Sequence, residues 1–136
     1  GLSRLDELER RSRIDHHLEE LNNPRTPTRG DVVVDFSRFV DCEAEDAVSV
    51  KNGRARIEDT YFAGHRSDAV DFDFVEGRIA GCQFSGCGGD AIDVSGSKVT
   101  IVDGRIENAG DKGISVGENS RVDITDTQLL NNAIGV

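Results

Sequence analysis

The sequence contains no tryptophan and no methionine, and only one tyrosine and two prolines in 136 residues. With aromatics at 5% and apolar residues at 36%, a core must be assembled from Val, Ile, Leu, Ala and six Phe. Such small, branched residues suit a stacked solenoid better than an aromatic-rich globule. No run approaches the roughly 20 apolar residues that cross a bilayer as a helix, and no signal-peptide pattern precedes the body of the chain. Three cysteines, Cys42, Cys82 and Cys87, leave at least one thiol unpaired. They show neither C-x-x-C spacing nor a His partner set, so they read as small buried or turn residues rather than a disulfide framework or a metal site. Phosphate loop, G-x-S-x-G elbow and an aromatic-basic surface for single-stranded nucleic acid are missing too.

Charge is present, and unevenly. The net charge is −10; residues 1–40 carry eight acids against seven bases, whereas residues 41–136 carry eighteen against nine. A strongly negative surface repels phosphate backbones, which argues against nucleic acid and anionic membranes and toward cations or basic proteins. The cations are 13 Arg and 3 Lys.

Two regions differ in periodicity. Residues 3–22 carry Leu5, Leu8, Ile14, Leu18 and Leu21 at approximate helical spacing, with Ser3 as N-cap and Asp6 three residues on, and predict an amphipathic α-helix. His16 and His17 fall on its charge-rich side. Asn22, Asn23 and Pro24 stop it, and a turn-prone linker runs from Pro24 to Gly30. The chain thus divides into a cap and linker, 1–30, and a second region, 31–136.

That second region repeats. Asp46-Ala47-Val48-Ser49-Val50, Asp68-Ala69-Val70-Asp71-Phe72, Asp90-Ala91-Ile92-Asp93-Val94 and Lys112-Gly113-Ile114-Ser115-Val116 start 22 residues apart. Pairs five apart repeat as well: Val34 and Phe39, Ile57 and Phe62, Ile79 and Phe84, Ile101 and Ile106, Ile124 and Leu129. Alternation such as Val70, Asp71, Phe72 marks strands with one face buried. A unit this short cannot bury its apolar face alone, but coils stacked about 4.8 Å apart build one continuous core. The expectation is an all-β parallel β-helix of about five coils, with the N-terminal helix capping its first strand edges. Opening on Gly1 and stopping at Val136 in mid-strand, the chain reads as a fragment of a larger protein. Its open C-terminal coil is a place for a protein partner or for self-association.

These repeats resemble those of the pectin-lyase-like superfamily, which includes pectate lyases, polygalacturonases, polysaccharide epimerases, NosD-like periplasmic proteins and the β-helix regions of some spore-coat CotH-like proteins. Gly89-Asp90-Ala91-Ile92-Asp93 and Gly110-Asp111-Lys112-Gly113-Ile114-Ser115 look most like the last. The resemblance covers residues 31–136. It implies a right-handed helix, an extracytoplasmic location and a polysaccharide as ligand or substrate.

Stacking turns repeats into columns. Asp46, Asp68 and Asp90 form one file, and Asp71 and Asp93 a second on the exposed side of the same strand. Carboxylates one coil apart repel unless they are solvated, share a proton or hold a cation. Asp68, Asp71, Asp90 and Asp93 are therefore candidate Ca²⁺ ligands, with Asp71 and Asp93 also a candidate acid/base pair. The competing reading makes the first Asp of each unit a cap on its own turn, and Asp71 and Asp93 solvated outward residues. Asp59, Asp103 and Asp126, with Gly81 interrupting them, read as structural. His65 and Arg66, beside Asp68 on a turn, form the one local grouping of imidazole, cation and acid, a candidate general base or sugar clamp whose alternative is a solvated corner. The companions that family enzymes need are missing: Gly89-Asp90-Ala91 lacks the paired Asp-Asp of a polygalacturonase, and no Gly-His-Gly follows. A non-catalytic scaffold or interaction module is the leading expectation, and a polysaccharide-active lyase, hydrolase, epimerase or carbohydrate-binding domain, with Ca²⁺ as the possible cofactor, is its rival.

Overall fold

The computed structural model describes residues 14–17, 31–41 and 46–136. Among these residues thirteen parallel strands wind into a solenoid of about four turns, rather than the five expected, with three flat faces per turn. The first face stacks β1 (Ile14–His17), the opening of β4 (Val48–Glu58), the opening of β6 (Val70–Ala80), β8 (Ile92–Ser95) and β11 (Ile114–Val116). The second face stacks β2 (Asp31–Asp35), the later halves of β4 and β6, β9 (Lys98–Val102) and β12 (Arg121–Thr125). The third stacks β3 (Arg38–Val40), β5 (Tyr61–Ala63), β7 (Gln83–Ser85), β10 (Arg105–Glu107) and β13 (Gln128–Leu130). Among the described residues no helix is long and apolar enough to cross a membrane.

The corners explain the polar punctuation of the repeat. Each coil bends at residues in the left-handed region, and these also stack: Asn52, Phe74, Gly96 and Asn119 at one corner, Phe36, Asp59, Gly81, Asp103 and Asp126 at the next, Asp41, Gly64, Gly86, Asn108 and Asn131 at the third. Gly, Asn and Asp tolerate that conformation where other residues pay for it sterically. Asp59, Asp103 and Asp126 are therefore structural, as expected, and Gly81 belongs to their column. Register is 22 residues between β6 and β9 but 23 between β9 and β12, where Lys98 meets Arg121. The extra residue is taken up in the Gly117–Asn119 corner, since Ile92 and Ile114 on the preceding face still differ by 22.

Inside, equal positions touch. Phe39, Phe62 and Phe84 form a ladder of parallel rings with centroids 5.1 and 4.8 Å apart. Ile57, Ile79 and Ile101 lie beside it, and Val48, Val70, Ile92 and Ile114 line the first face, all fully or almost fully buried. Phe72 is larger than its column neighbours Val50 and Val94, and the chain makes room for it across the core: a Cβ on Gly77 would sit 3.0 Å from the Phe72 ring.

The sequence expectation of helix is not met at residues 14–17. Residues 14–17 form a strand, not helix, and pair in parallel with β4 from Ile14 opposite Val48 to His17 opposite Lys51. The edge of β4 offers unpaired backbone groups, and satisfying them outweighs a helical spacing that is only approximate. The remainder of the expected helix and the linker lie outside the described residues, as does Cys42.

Candidate functional site

The first face carries most of the acids singled out above. Its outward column runs Ser49, Asp71, Asp93, Ser115 in strict register, and a second column runs Lys51, Asp73, Ser95. Just before these strands stand Asp46, Asp68 and Asp90, which close the preceding turn. Among the described residues, the hydrogen bonds of the Asp68 and Asp90 carboxylates run to the next coil rather than to their own turns. The Asp68 Oδ1 accepts the Asp90 backbone N–H at 2.7 Å, and the Asp90 Oδ1 accepts that of Lys112 at 2.9 Å, each 22 residues ahead. Asp68 and Asp90 thereby each staple their coil to the next.

Three of these groups converge. Carboxylate oxygens of Asp68, Asp90 and Asp93 lie within 4.8 Å of one another; Asp71 is a register neighbour but not part of that trio. Burial, helped by neighbouring acids, pushes Asp68 up to about 6 and Asp71 up to about 7. Asp93 is raised by burial and by Asp90, with a Ser115 hydrogen bond opposing. Carboxylates crowded in this way can hold protons at mildly acidic pH, and the trio supplies three oxygen ligands to a hard cation whose remaining positions water would fill.

His65 and Arg66 do not form a cluster. His65 points into the core, 3% exposed, edge-on to Phe62 at 5.8 Å, with neither ring nitrogen hydrogen-bonded. Burial pushes its pKa down to about 4, against the charge of Asp41 and the backbone of Phe39. Arg66 points out to solvent. A solvated corner does not describe His65, because consecutive residues here face opposite sides of the coil wall. Cys82 and Cys87 are buried as expected, and desolvation lifts their thiols to about 11 and about 12, far from thiolate chemistry at neutral pH.

The sequence reading missed the second face. Its outward residues include Arg54, Arg56, Arg78, Lys98 and Arg121, five cations on one flat sheet, interleaved with Asp35, Glu58, Glu76 and Asp123; Arg56 pairs with Glu58 at 3.7 Å and Arg121 with Asp123 at 3.5 Å, so the face is a charge mosaic rather than a basic patch. Shallow hollows of about 360 Å³ and about 350 Å³ lie here, the first lined by Val33, Arg54, Arg56, Glu76 and Arg78, the second by Phe74, Glu76 and Lys98. Phe36 and Phe74, 71% and 65% exposed, stand at its two corners. The signal was available: Arg54, Arg56, Arg78 and Lys98 alternate with Ala55, Ile57 and Ile79, so the inward pattern already aimed them outward together.

A flat-faced parallel solenoid with stacked corners defines a class, the β-helix proteins. Residues 28–136 match the family described as right handed beta helix region, and the chain belongs to it. Comparison with curated proteins finds no match.

Proposed function

We propose that the protein is a non-catalytic β-helical module, of the pectin-lyase-like kind, that presents its flat faces and the edge of its last coil to a partner protein or to another copy of itself. One observation carries this reading. Two of the four candidate acids are committed to the backbone, Asp68 to the amide of Asp90 and Asp90 to that of Lys112. Charge-assisted bonds of this kind hold coils in register and leave little freedom for a catalytic cycle. The last coil adds a docking edge: Val116 and Ile124, in the core columns of Val94 and Ile101, are 41% and 39% exposed, and Leu130, Ile134 and Val136 add exposed apolar surface beside them.

The trio of Asp68, Asp90 and Asp93 favours a second reading, a Ca²⁺-dependent polysaccharide-facing site on the first face. Calorimetric Ca²⁺ titration of the chain and of an Asp71→Asn/Asp93→Asn variant, with a lyase and hydrolase screen on acidic and neutral polysaccharides, separates the two. The module reading expects no turnover and no Ca²⁺ heat. Turnover, or Ca²⁺ binding that the variant abolishes, would replace it with the second.

A further inference from the structure

Two buried cysteines in the wall of the solenoid differ in what their thiols meet. The Cys82 Sγ donates to the carbonyls of Ile57 and Ala80. The Cys87 Sγ, in a residue only 2% exposed, has no hydrogen bond among the described residues. Its neighbour on the adjacent coil is a second unsatisfied group. The ladder of β5 and β7 ends at Ala63 opposite Ser85, but its hydrogen bonds run on through the corner, from the Gly64 N–H to the Ser85 carbonyl at 3.0 Å and from the Gly88 N–H to the His65 carbonyl at 2.8 Å. These bonds set His65 in register with Cys87, and the Gly110 N–H, bonded to the Cys87 carbonyl at 2.7 Å, sets Ala109 on the far side. The inward column at this corner is therefore His65, Cys87, Ala109.

His65 is 3% exposed, and neither of its ring nitrogens is hydrogen-bonded. A buried polar group without a partner costs stability that an apolar residue of the same size would not. Here an imidazole and a thiol, both good ligands for soft metals, lie one above the other inside the same wall. Coils stand about 4.8 Å apart. Bonds of the length that zinc makes to nitrogen and sulfur, about 2.0 and 2.3 Å, hold two donors in line about 4.3 Å apart around one ion. The repeat of the fold and the span of a two-coordinate ion thus agree. Among the described residues no third His, Cys, Asp or Glu joins this pair, the acids of the first face forming the one grouping of three.

We infer that His65 and Cys87 form a buried two-coordinate site for a soft monovalent cation, copper(I) or silver(I) in kind. Charge selects the valence. On binding, the S–H bond breaks, its proton leaves to solvent and a sulfur–metal bond forms, with no electron transferred. Thiolate and monovalent ion then sum to zero, whereas a divalent ion would leave a net charge in an apolar interior. Softness selects the element, since thiolate and imidazole suit copper while a hard cation takes several oxygens. Burial keeps the imidazole neutral down to about 4, so a nitrogen lone pair is available at ordinary pH. The Phe39 backbone favours a proton on the ring, and a backbone acceptor of this kind orients a metal-bound imidazole through its other nitrogen. Gly86, Gly88 and Gly89 flank Cys87 in the chain, and the ion enters by local opening of this corner. The site lies inside the wall, so it goes beyond the module reading without resting on it.

Silver(I) is the titration probe, on the full reduced chain in chloride-free buffer, because it needs no reductant. Cys42→Ser is made in every sample to remove the thiol outside the described residues. That chain is expected to take up one silver ion, release one proton and melt several degrees higher. Cys87→Ala and His65→Phe are each expected to lose both the uptake and the melting shift, and Cys82→Ala to keep them; melts without metal establish that each variant folds. X-ray absorption of the copper(I)-loaded chain, prepared without oxygen, is expected to show one sulfur and one nitrogen in a two-coordinate shell, a result that needs neither ligand variant. Uptake that survives His65→Phe overturns the site. So does a shell of sulfur alone, or a reduced chain that takes up no ion.

Discussion

Ile79 and Ile124 occupy the same column of the solenoid, yet one is 1% exposed and the other 39%. The residue type, the strand and the register are the same; the difference is that Ile79 has a coil on each side and Ile124 has one on one side among the described residues. The same contrast runs through the other columns: Ile106 is fully buried while Leu129 above it in sequence is only partly so, and Ile114 is sealed while Val116, two residues on, is 41% exposed. In a solenoid, burial belongs to the neighbour more than to the side chain, so stability is a sum of coil-to-coil interfaces.

The largest expected effect breaks that comparison open. Ile79→Ala should cost about 3–4 kcal/mol, as fully buried Ile and Leu truncations do, whereas Ile124→Ala should cost less than about 1 kcal/mol because its site is half open. Denaturant unfolding of both variants measures the gap. Equal costs would show that Ile124 is covered in solution, and that the last coil is occupied by a partner at the concentration used.

The repeat made the middle coils legible before any coordinates. Apolar residues at fixed offsets, Val48, Val70, Ile92 and Ile114, have only one common environment, a shared interior column, so the parallel solenoid follows from counting. Asp59, Asp103 and Asp126 were readable as corners for the same reason. Three features were not readable. The strand at residues 14–17 is held by non-local pairing with β4, whereas Leu5, Leu8, Ile14, Leu18 and Leu21 suggested a local helix. His65 sits in a polar turn sequence, and which residues of a turn face inward depends on corner geometry that hydrophobic spacing does not encode. The grouping of Arg and Lys on the second face is hidden in the chain's net charge, where eighteen acids submerge nine bases; it emerges only when residues are sorted by the side of the strand on which they fall.

A smaller effect concerns how coils are stapled. Asp68 accepts the Asp90 amide and Asp90 that of Lys112, but the corresponding position of the next coil is Lys112 itself, which brings no side-chain acceptor to the column. Asp68→Ala should therefore cost about 1–2 kcal/mol, leaving a partly buried N–H without its acceptor. Asp68→Asn keeps an acceptor oxygen while removing a charge that burial and three acidic neighbours disfavour, so it should be neutral or mildly stabilising. Lys112→Ala should be silent by comparison. Chemical denaturation of the three variants checks the order; an Asn variant as damaging as the Ala variant would mean that the Asp68 charge itself is needed, as it would be for a bound cation.

The smallest effect is a dependence on pH confined to the middle coils. Asp71 and Asp68 hold their protons in the fold up to about 7 and about 6, against an ordinary 3.8. Their contribution to stability is full below about 3.8 and is lost as pH rises through those values. His65 works the other way: neutral in the fold down to about 4 against an ordinary 6.5, it contributes fully above 6.5 and is lost as pH falls toward 4. Three raised carboxyls, with Asp93, face one lowered imidazole, so melting temperature should fall between pH 4 and pH 7. Asp71→Asn should flatten that slope and raise the melting temperature at neutral pH by a few degrees, while His65→Phe should steepen it. In the last coil the same columns hold Ser115 and Asn132, which do not titrate, and Asn132 has both ends of its amide bonded, to the Ala109 N–H and the Ile106 carbonyl. Hydrogen exchange should therefore show the pH slope in the amides of β6 and β8 and not in those of β12 and β13. A slope of equal size at both ends would mean that unfolding is cooperative across all coils, and that the contrast between Ile79 and Ile124 is one of packing alone.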